Sequence, residues 1–209
     1  MPISGERSAV SSSRRSLYPQ AVYRSSRSRR MLNFRNALVP ILGFAAFSGT
    51  GKTTLLKKII PQLRLNGLNV GLIKHSHHSF EIDHPGKDSY ELRRAGASPV
   101  MLSSSHRRAI ITERRIIQEP ALAEELTYFD QTGLDLILVE GFKRERFPKI
   151  ELHRPTLGKP LLFPNDDSII AIATDSDPVV TPGIPRLDLN DPDQITRFIC
   201  QDFLPHAKA

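Results

Sequence analysis

The stretch "ILGFAAFSGTGKTTLLKKII", residues 41–60, decides the architecture. Six of its first seven residues are apolar and read as a buried strand. A small, Gly-bearing turn follows, then a Lys and two Thr. Beyond them Leu55, Leu56, Ile59, Ile60 and Leu63 recur on one helical face, with Lys57, Lys58, Gln62 and Arg64 opposite. Gly67 ends this helix and Pro61 predicts a kink in it. "AFSGTGKT" (46–53) fits the phosphate-cradling pattern of a small residue, four of any type, then Gly-Lys-Thr, with Ala46 in the first position. Gly49 and Gly51 permit the turns that converge backbone N–H groups on an anion. Lys52 brings a positive charge to the β/γ-phosphates, and the Thr53 hydroxyl is placed to hold Mg²⁺. The helix dipole favours the same anion by only about 0.3–2 kcal/mol, so the site needs all these parts together.

Composition frames that reading. A chain of 209 residues, 39% hydrophobic and 24% charged, can bury the core of one globular domain, which we place at 37–206. Cys200 is the only cysteine, so no disulfide can form within the chain, and a reducing, cytoplasmic setting is expected. It lies in a helical pattern beside Ile195, Phe198 and Ile199 and reads as a small buried hydrophobe. The net charge of +7 is misleading: residues 1–30 hold seven Arg against one Glu, which leaves +1 on the rest. A basic balance argues for nucleic acid only when it belongs to a folded face, so a nucleic-acid partner is not expected.

Residues 1–36 read as a disordered Ser/Arg-rich tail, too poor in apolar residues to offset its chain entropy. A transit peptide and a basic arm are open readings of it. The one we favour takes Met31 as the true start. "ALVPILGFAAF" is too short to span a bilayer, so no membrane association is expected.

Downstream, 68–75, 99–104, 107–114, 134–142, 147–153 and 168–175 read as strands, and 87–97, 120–130 and 191–204 as helices. The alternation implies an α/β fold of the P-loop NTPase type: a mostly parallel sheet flanked by helices. The segments 99–104, 107–114 and 147–153 are expected as antiparallel additions. Ligands of such a sheet gather at the carboxyl ends of its strands. Glu140 ends the most apolar strand and is placed to hold or orient Mg²⁺. Gly141 lets the backbone approach a γ-phosphate. Asp175 ends a later strand where a base-reading Asp would stand, although no N-K-x-D motif is present. In "KHSHHSFEIDHPGKDS" (74–89), Asp83 could reach Mg²⁺ or its water, and Asp88 or Ser89 reads as a helix cap. The His spacings there lack a zinc pattern. Arg93 and Arg94 read as a solvated helix face.

"FAAFSGTGKTTLLKKIIP", "GLIKHSHH", "DHPGKDSYELRRAGA" and "LDLILVEGFKRE" together resemble the molybdopterin-guanine dinucleotide biosynthesis protein B (MobB) family. The resemblance runs from about residue 39 to 204. It implies a GTP-binding α/β domain that forms a homodimer, hydrolyses GTP slowly with Mg²⁺, and serves as an adaptor in molybdenum-cofactor assembly. The implied partners are the guanylyltransferase that makes the dinucleotide and a molybdopterin-type ligand. Carried onto this chain, the resemblance marks Ser48, Gly49, Thr50, Gly51, Lys52, Thr53 and Thr54 as the phosphate loop and Glu140–Gly141 as the second nucleotide motif. The expected roles are then chemistry at Lys52 and Glu140, nucleotide contacts from the loop, Gly141 and Asp175, and metal contacts from Thr53, Glu140 and Asp83. With no water-orienting Gln or arginine finger in view, intrinsic turnover should be on the order of 10⁻⁴ to 10⁻² s⁻¹. The alternative is a small-molecule kinase, with "KRER" (143–146) as lid cations.

Overall fold

The computed structural model describes residues 34–76, 80–176 and 183–207. Of the tail expected at 1–36, residues 1–33 lie outside the described residues, as do His77 and His78, whereas Phe34 packs against Phe147 and Asn36 donates to the Ala123 carbonyl, so 34–36 belong to the domain. Six parallel strands form the main sheet in the order β2-β5-β1-β6-β7-β8: β1 (Ile41–Ala45), β2 (Val70–Lys74), β5 (Leu136–Glu140), β6 (Lys149–His153), β7 (Ile169–Thr174) and β8 (Arg186–Asp188). The three-residue β8 has too short an apolar pattern to be read from sequence.

Helix α1 (Lys52–Leu65) covers one face of the sheet through Leu55, Leu56, Ile59 and Leu63. At about 1.5–3 kcal/mol for each fully buried side chain, tertiary burial stabilises a helix whose 14 residues would be marginal in isolation. The helix runs through Pro61 and ends at Asn66. Gly67 then takes φ 82°, and the Gly67 and Leu68 N–H groups donate to the Arg64 and Leu63 carbonyls, a Schellman closure. Beside α1 packs the C-terminal helix: α4 (Pro192–Arg197), a π-helical turn (Phe198–Phe203) and α5 (Leu204–Ala207). The Asp191 carboxylate caps it by accepting from the Gln194 N–H at 3.0 Å, with Pro192 in the first turn. Cys200 is partly buried against this core. The other face buries Ile41, Ile137, Val139, Phe142 and Phe147 under α3 (Leu122–Tyr128).

One strand assignment is corrected. Residues 147–153 do not form an antiparallel addition; β6 is parallel and central, between β1 and β7. Its alternation of Lys149, Glu151 and His153 with Ile150 and Leu152 suggested a half-exposed strand, but all five residues are buried. Among the described residues, no α-helix covers the polar face. The chain at 154–168 does, and the three polar side chains hold it there. The Glu151 carboxylate accepts from the Leu162 and Phe163 N–H groups, both at 2.8 Å. His153 Nε2 lies 3.0 Å from the Lys159 carbonyl, and Lys149 Nζ donates to Asp166 at 3.0 Å and Ser168 at 2.6 Å. Buried backbone of an irregular segment needs such partners.

The antiparallel pair β3 (Val100–Ser103) and β4 (Arg108–Ile111) forms its own two-stranded sheet, apart from the main one. It follows α2 (Asp88–Arg94). Asp88 and Ser89 do not cap that helix. Lys87 occupies the cap position with no side-chain cap, and the Glu91 carboxylate instead accepts from the Gly86 N–H at 3.2 Å.

Candidate phosphate site and its flanking cavity

The carboxyl ends of β1, β5, β6, β7 and β8 converge on the head of α1. Gly49 and Gly51 have φ of 82° and 99°, backbone that a side chain would strain. An added Cβ would meet nothing within 4 Å at Gly49 and only Arg154 Nη2, at 3.9 Å, at Gly51, so both glycines face open space. Between them Thr50 is buried, and its hydroxyl donates to the Phe47 carbonyl at 2.8 Å. No side chain caps α1. Its first N–H groups are therefore left to a ligand or water.

Lys52 Nζ lies 3.7 Å from one Glu140 oxygen and Lys74 Nζ 3.6 Å from the other. Burial lowers the Lys52 pKa below 10.5, and Glu140 opposes that shift. Lys143, whose ammonium stands 5.8 Å from the Phe47 ring centroid, lowers it further. Gly141 takes φ 100°, and a Cβ there would come within 2.6 Å of His75 Cβ. The close crossing lets the His75 N–H donate to the Glu140 carbonyl at 2.8 Å.

On the other side of the loop is a cavity of ≈ 350 Å³ lined by Gly51, Thr54, Lys58, Arg154, Asn190 and neighbours. Arg154 joins four strand ends there. Its Nε donates to the Thr50 carbonyl at 3.0 Å, Nη1 to Asp175 at 2.5 Å and Nη2 to Asn190 Oδ1 at 3.3 Å. Asp175 is thus engaged by Arg154, which lines the cavity. Sequence reasoning missed Arg154 because β6 was not placed among the parallel strands. The signal available was an Arg directly after the last residue of a strand, in "IELHRP".

Asp83 belongs to a different constellation. Its carboxylate accepts from Arg93 at 2.8 Å, and Glu81 and Glu113 each take the same guanidinium at 2.5 Å. No described hydrogen bond or ion pair joins Asp83 to Lys52, Thr53 or Glu140. Arg93 is not a solvated cation. Its side chain is 9% exposed, and its three carboxylates, Glu113 first, raise its pKa. One arginine thereby ties the 80–87 segment and the end of the β3–β4 hairpin to α2. Within "KRER", Glu145 accepts from the Leu122 N–H at 2.7 Å and Arg146 pairs with Asp167, so the segment is fastened to the domain.

The description molybdopterin guanine dinucleotide synthesis protein B is that of a family model matching residues 41–175. The chain belongs to this family. It is 46% identical over 165 residues to the molybdopterin-guanine dinucleotide biosynthesis adapter protein of Escherichia coli K12, spanning 78% of this chain and 93% of that one. Against the Haemophilus influenzae protein of the same name, identity is 43%, spanning 83% and 94%. A crystal structure of molybdopterin-guanine biosynthesis protein B superposes with a TM-score of 0.59 at 26% identity, covering 77% of this chain and 97% of that chain. The MobB of Bacillus subtilis superposes at 0.57 and 22%, covering 77% and 95%, a likeness of fold. Among the described residues, no helix is long and apolar enough to cross a membrane.

Proposed function

We propose that this chain is a GTP-binding adaptor of molybdopterin-guanine dinucleotide biosynthesis, acting in the cytoplasm, with weak intrinsic GTPase activity. The observation that carries nucleotide binding is the pairing of a glycine loop at an uncapped helix head with a half-buried lysine, Lys52, held by Glu140. The pathway role comes from the family and from relatives named as adapter proteins.

The nucleotide-binding set is Ser48 to Thr54 with Gly141. Loop N–H groups and Lys52 would take the β- and γ-phosphates. Mg²⁺ fits the donor chemistry beside them, a Thr53 hydroxyl and a Glu140 carboxylate, both hard oxygen donors. Thr53 follows the loop lysine in α1, and Glu140 touches that lysine. When bound, the ion neutralises charge developing between the phosphates. Anion binding draws Lys52 from Glu140 and leaves Lys74 as the glutamate's counter-ion. No arginine finger or water-orienting glutamine stands in the described site, which supports slow hydrolysis. Asp83, committed to Arg93, is not assigned to the metal.

The adaptor's partners are the guanylyltransferase and a molybdopterin-type ligand, and its state a homodimer. Exposed Met101 and Ile110, cross-strand neighbours on β3–β4, support a second copy on that hairpin. The fastened 143–146 segment disfavours the kinase alternative. Titration of the full chain with Mg-GTP and Mg-ATP, with Lys52→Ala as control, tests the reading. Tighter GTP binding that vanishes in the variant supports it; preference for ATP overturns it.

A further inference from the structure

The cavity beside the phosphate loop has the size and position of a nucleoside pocket, and among its polar lining residues, which include Thr54, Lys58 and Asn190, Arg154 is the one that ties the surrounding loops together. An arginine presents five N–H donors. Three are spent, on Thr50, Asp175 and Asn190, and two are left facing no described acceptor. One oxygen of the Asp175 carboxylate, which would otherwise be the natural reader of a purine's N1–H and 2-amino group, is taken by Arg154. Its ion pair is only 2.5 Å long and Arg154 is held simultaneously from two other loops. The guanidinium is therefore fixed by the fold before any ligand arrives.

The geometry points to Arg154 as the residue that selects guanine, by donating to the acceptor edge formed by O6 and N7, with Asp175 as a positioning residue behind it. This rests on the GTP-binding reading. A guanine offers two acceptors on that edge, whereas adenine offers N7 beside an N6 donor that would meet a donor. The fixed guanidinium avoids the entropy cost of ordering a free arginine on binding. Asn190, from the loop after β8, holds the far side of the guanidinium, so the loops after β1, β6, β7 and β8 act as one frame.

The test uses base analogues on the full chain with Mg²⁺. Inosine triphosphate keeps O6 and N7 but lacks the 2-amino group. The 7-deaza analogue of GTP lacks N7. Expected is inosine triphosphate within about twofold of GTP, and both 7-deaza-GTP and ATP weaker by roughly fivefold or more. In Arg154→Met these four affinities should converge while inorganic tripolyphosphate still binds. A loss on removing the 2-amino group, with none on removing N7, overturns the inference and returns base reading to Asp175. So does an equal weakening of all four nucleotides in Arg154→Met, since that would mean Arg154 only braces the loop through Thr50. If neither the nucleotides nor tripolyphosphate bind the wild-type chain, the GTP-binding reading itself has failed, and the inference with it.

Discussion

Lys52 Nζ lies 3.7 Å from Glu140 Oε1, joining the head of α1 to the end of β5. The lysine that should receive phosphates is thus held by the carboxylate assigned to the metal. Binding must break this contact, and each partner then has a separate job. Lys52→Ala should weaken Mg-GTP binding by roughly 10- to 100-fold, from the worth of a hydrogen bond to a charged group. Glu140→Gln should remove most of the gain that Mg²⁺ gives while leaving metal-free binding near wild type. Calorimetric titration with and without Mg²⁺ separates the two.

Nucleotide affinity should depend on alkaline pH through Lys52. Burial first, opposed by Glu140, puts its pKa below 10.5. A phosphate favours the protonated form, so affinity should fall, and binding should take up protons, as pH rises through that lowered pKa and before 10.5 is reached. The sign for stability is opposite. The unfolded chain binds the proton more tightly, so this group adds stability as pH rises across the same window. Titrations in buffers of different ionisation enthalpy read the proton uptake; proton release would sink the assignment.

Gly141→Ala should destabilise the domain by about 1–3 kcal/mol for left-handed backbone alone, and more because its Cβ would meet His75. The shift should also displace the Glu140 carbonyl, since the His75 N–H donates to it. Urea unfolding with a nucleotide titration checks both.

Lys149 is held in the core by Asp166 and Ser168. Its truncation to Ala should cost about 2–4 kcal/mol, as for buried large-to-small changes, and Lys149→Met should cost less. Burial pushes the Asp166 pKa up, but hydrogen bonds from Ser168 and Lys149 together hold it below 3.8. Its contribution is present above the unfolded value and is lost as pH falls through the lower folded one. The wild type should therefore lose stability below pH 3.8, and this acid limb should shrink in Lys149→Met. Thermal unfolding between pH 2 and 7 measures it.

Ile110→Lys combined with Met101→Glu should convert a dimer to a monomer without unfolding the main sheet, because the hairpin does not pair with that sheet. Sedimentation at micromolar concentration decides; a dimer that persists would move the interface elsewhere.

The glycine loop between β1 and α1 was legible because its pattern is local. Small residues, a lysine and a helix start must be adjacent in the chain to make the turn, and residues 46–54 state it directly. β1 and β5 were legible for a similar reason: a parallel strand buried on both faces is a continuous apolar run. β6 failed that test because a loop, not a helix, covers one face, and a loop's backbone demands polar partners. Glu151 and Lys149 therefore imitate solvent-facing positions while being buried. Arg93 misled in the same way, since a cation on a short helix looks solvated until three carboxylates from other segments surround it.

The sequence by itself determined the strand–glycine loop–helix, the alternation that builds the sheet, and the family. The tertiary structure alone decided what stands around the loop: that Glu140 reaches Lys52, that Asp83 belongs to Arg93, and that Arg154 spans to Asp175 and Asn190. The reason is separation along the chain. Arg154 is 104 residues from Thr50 and 36 from Asn190, and no local pattern of residue types encodes which strand ends a parallel sheet will set side by side.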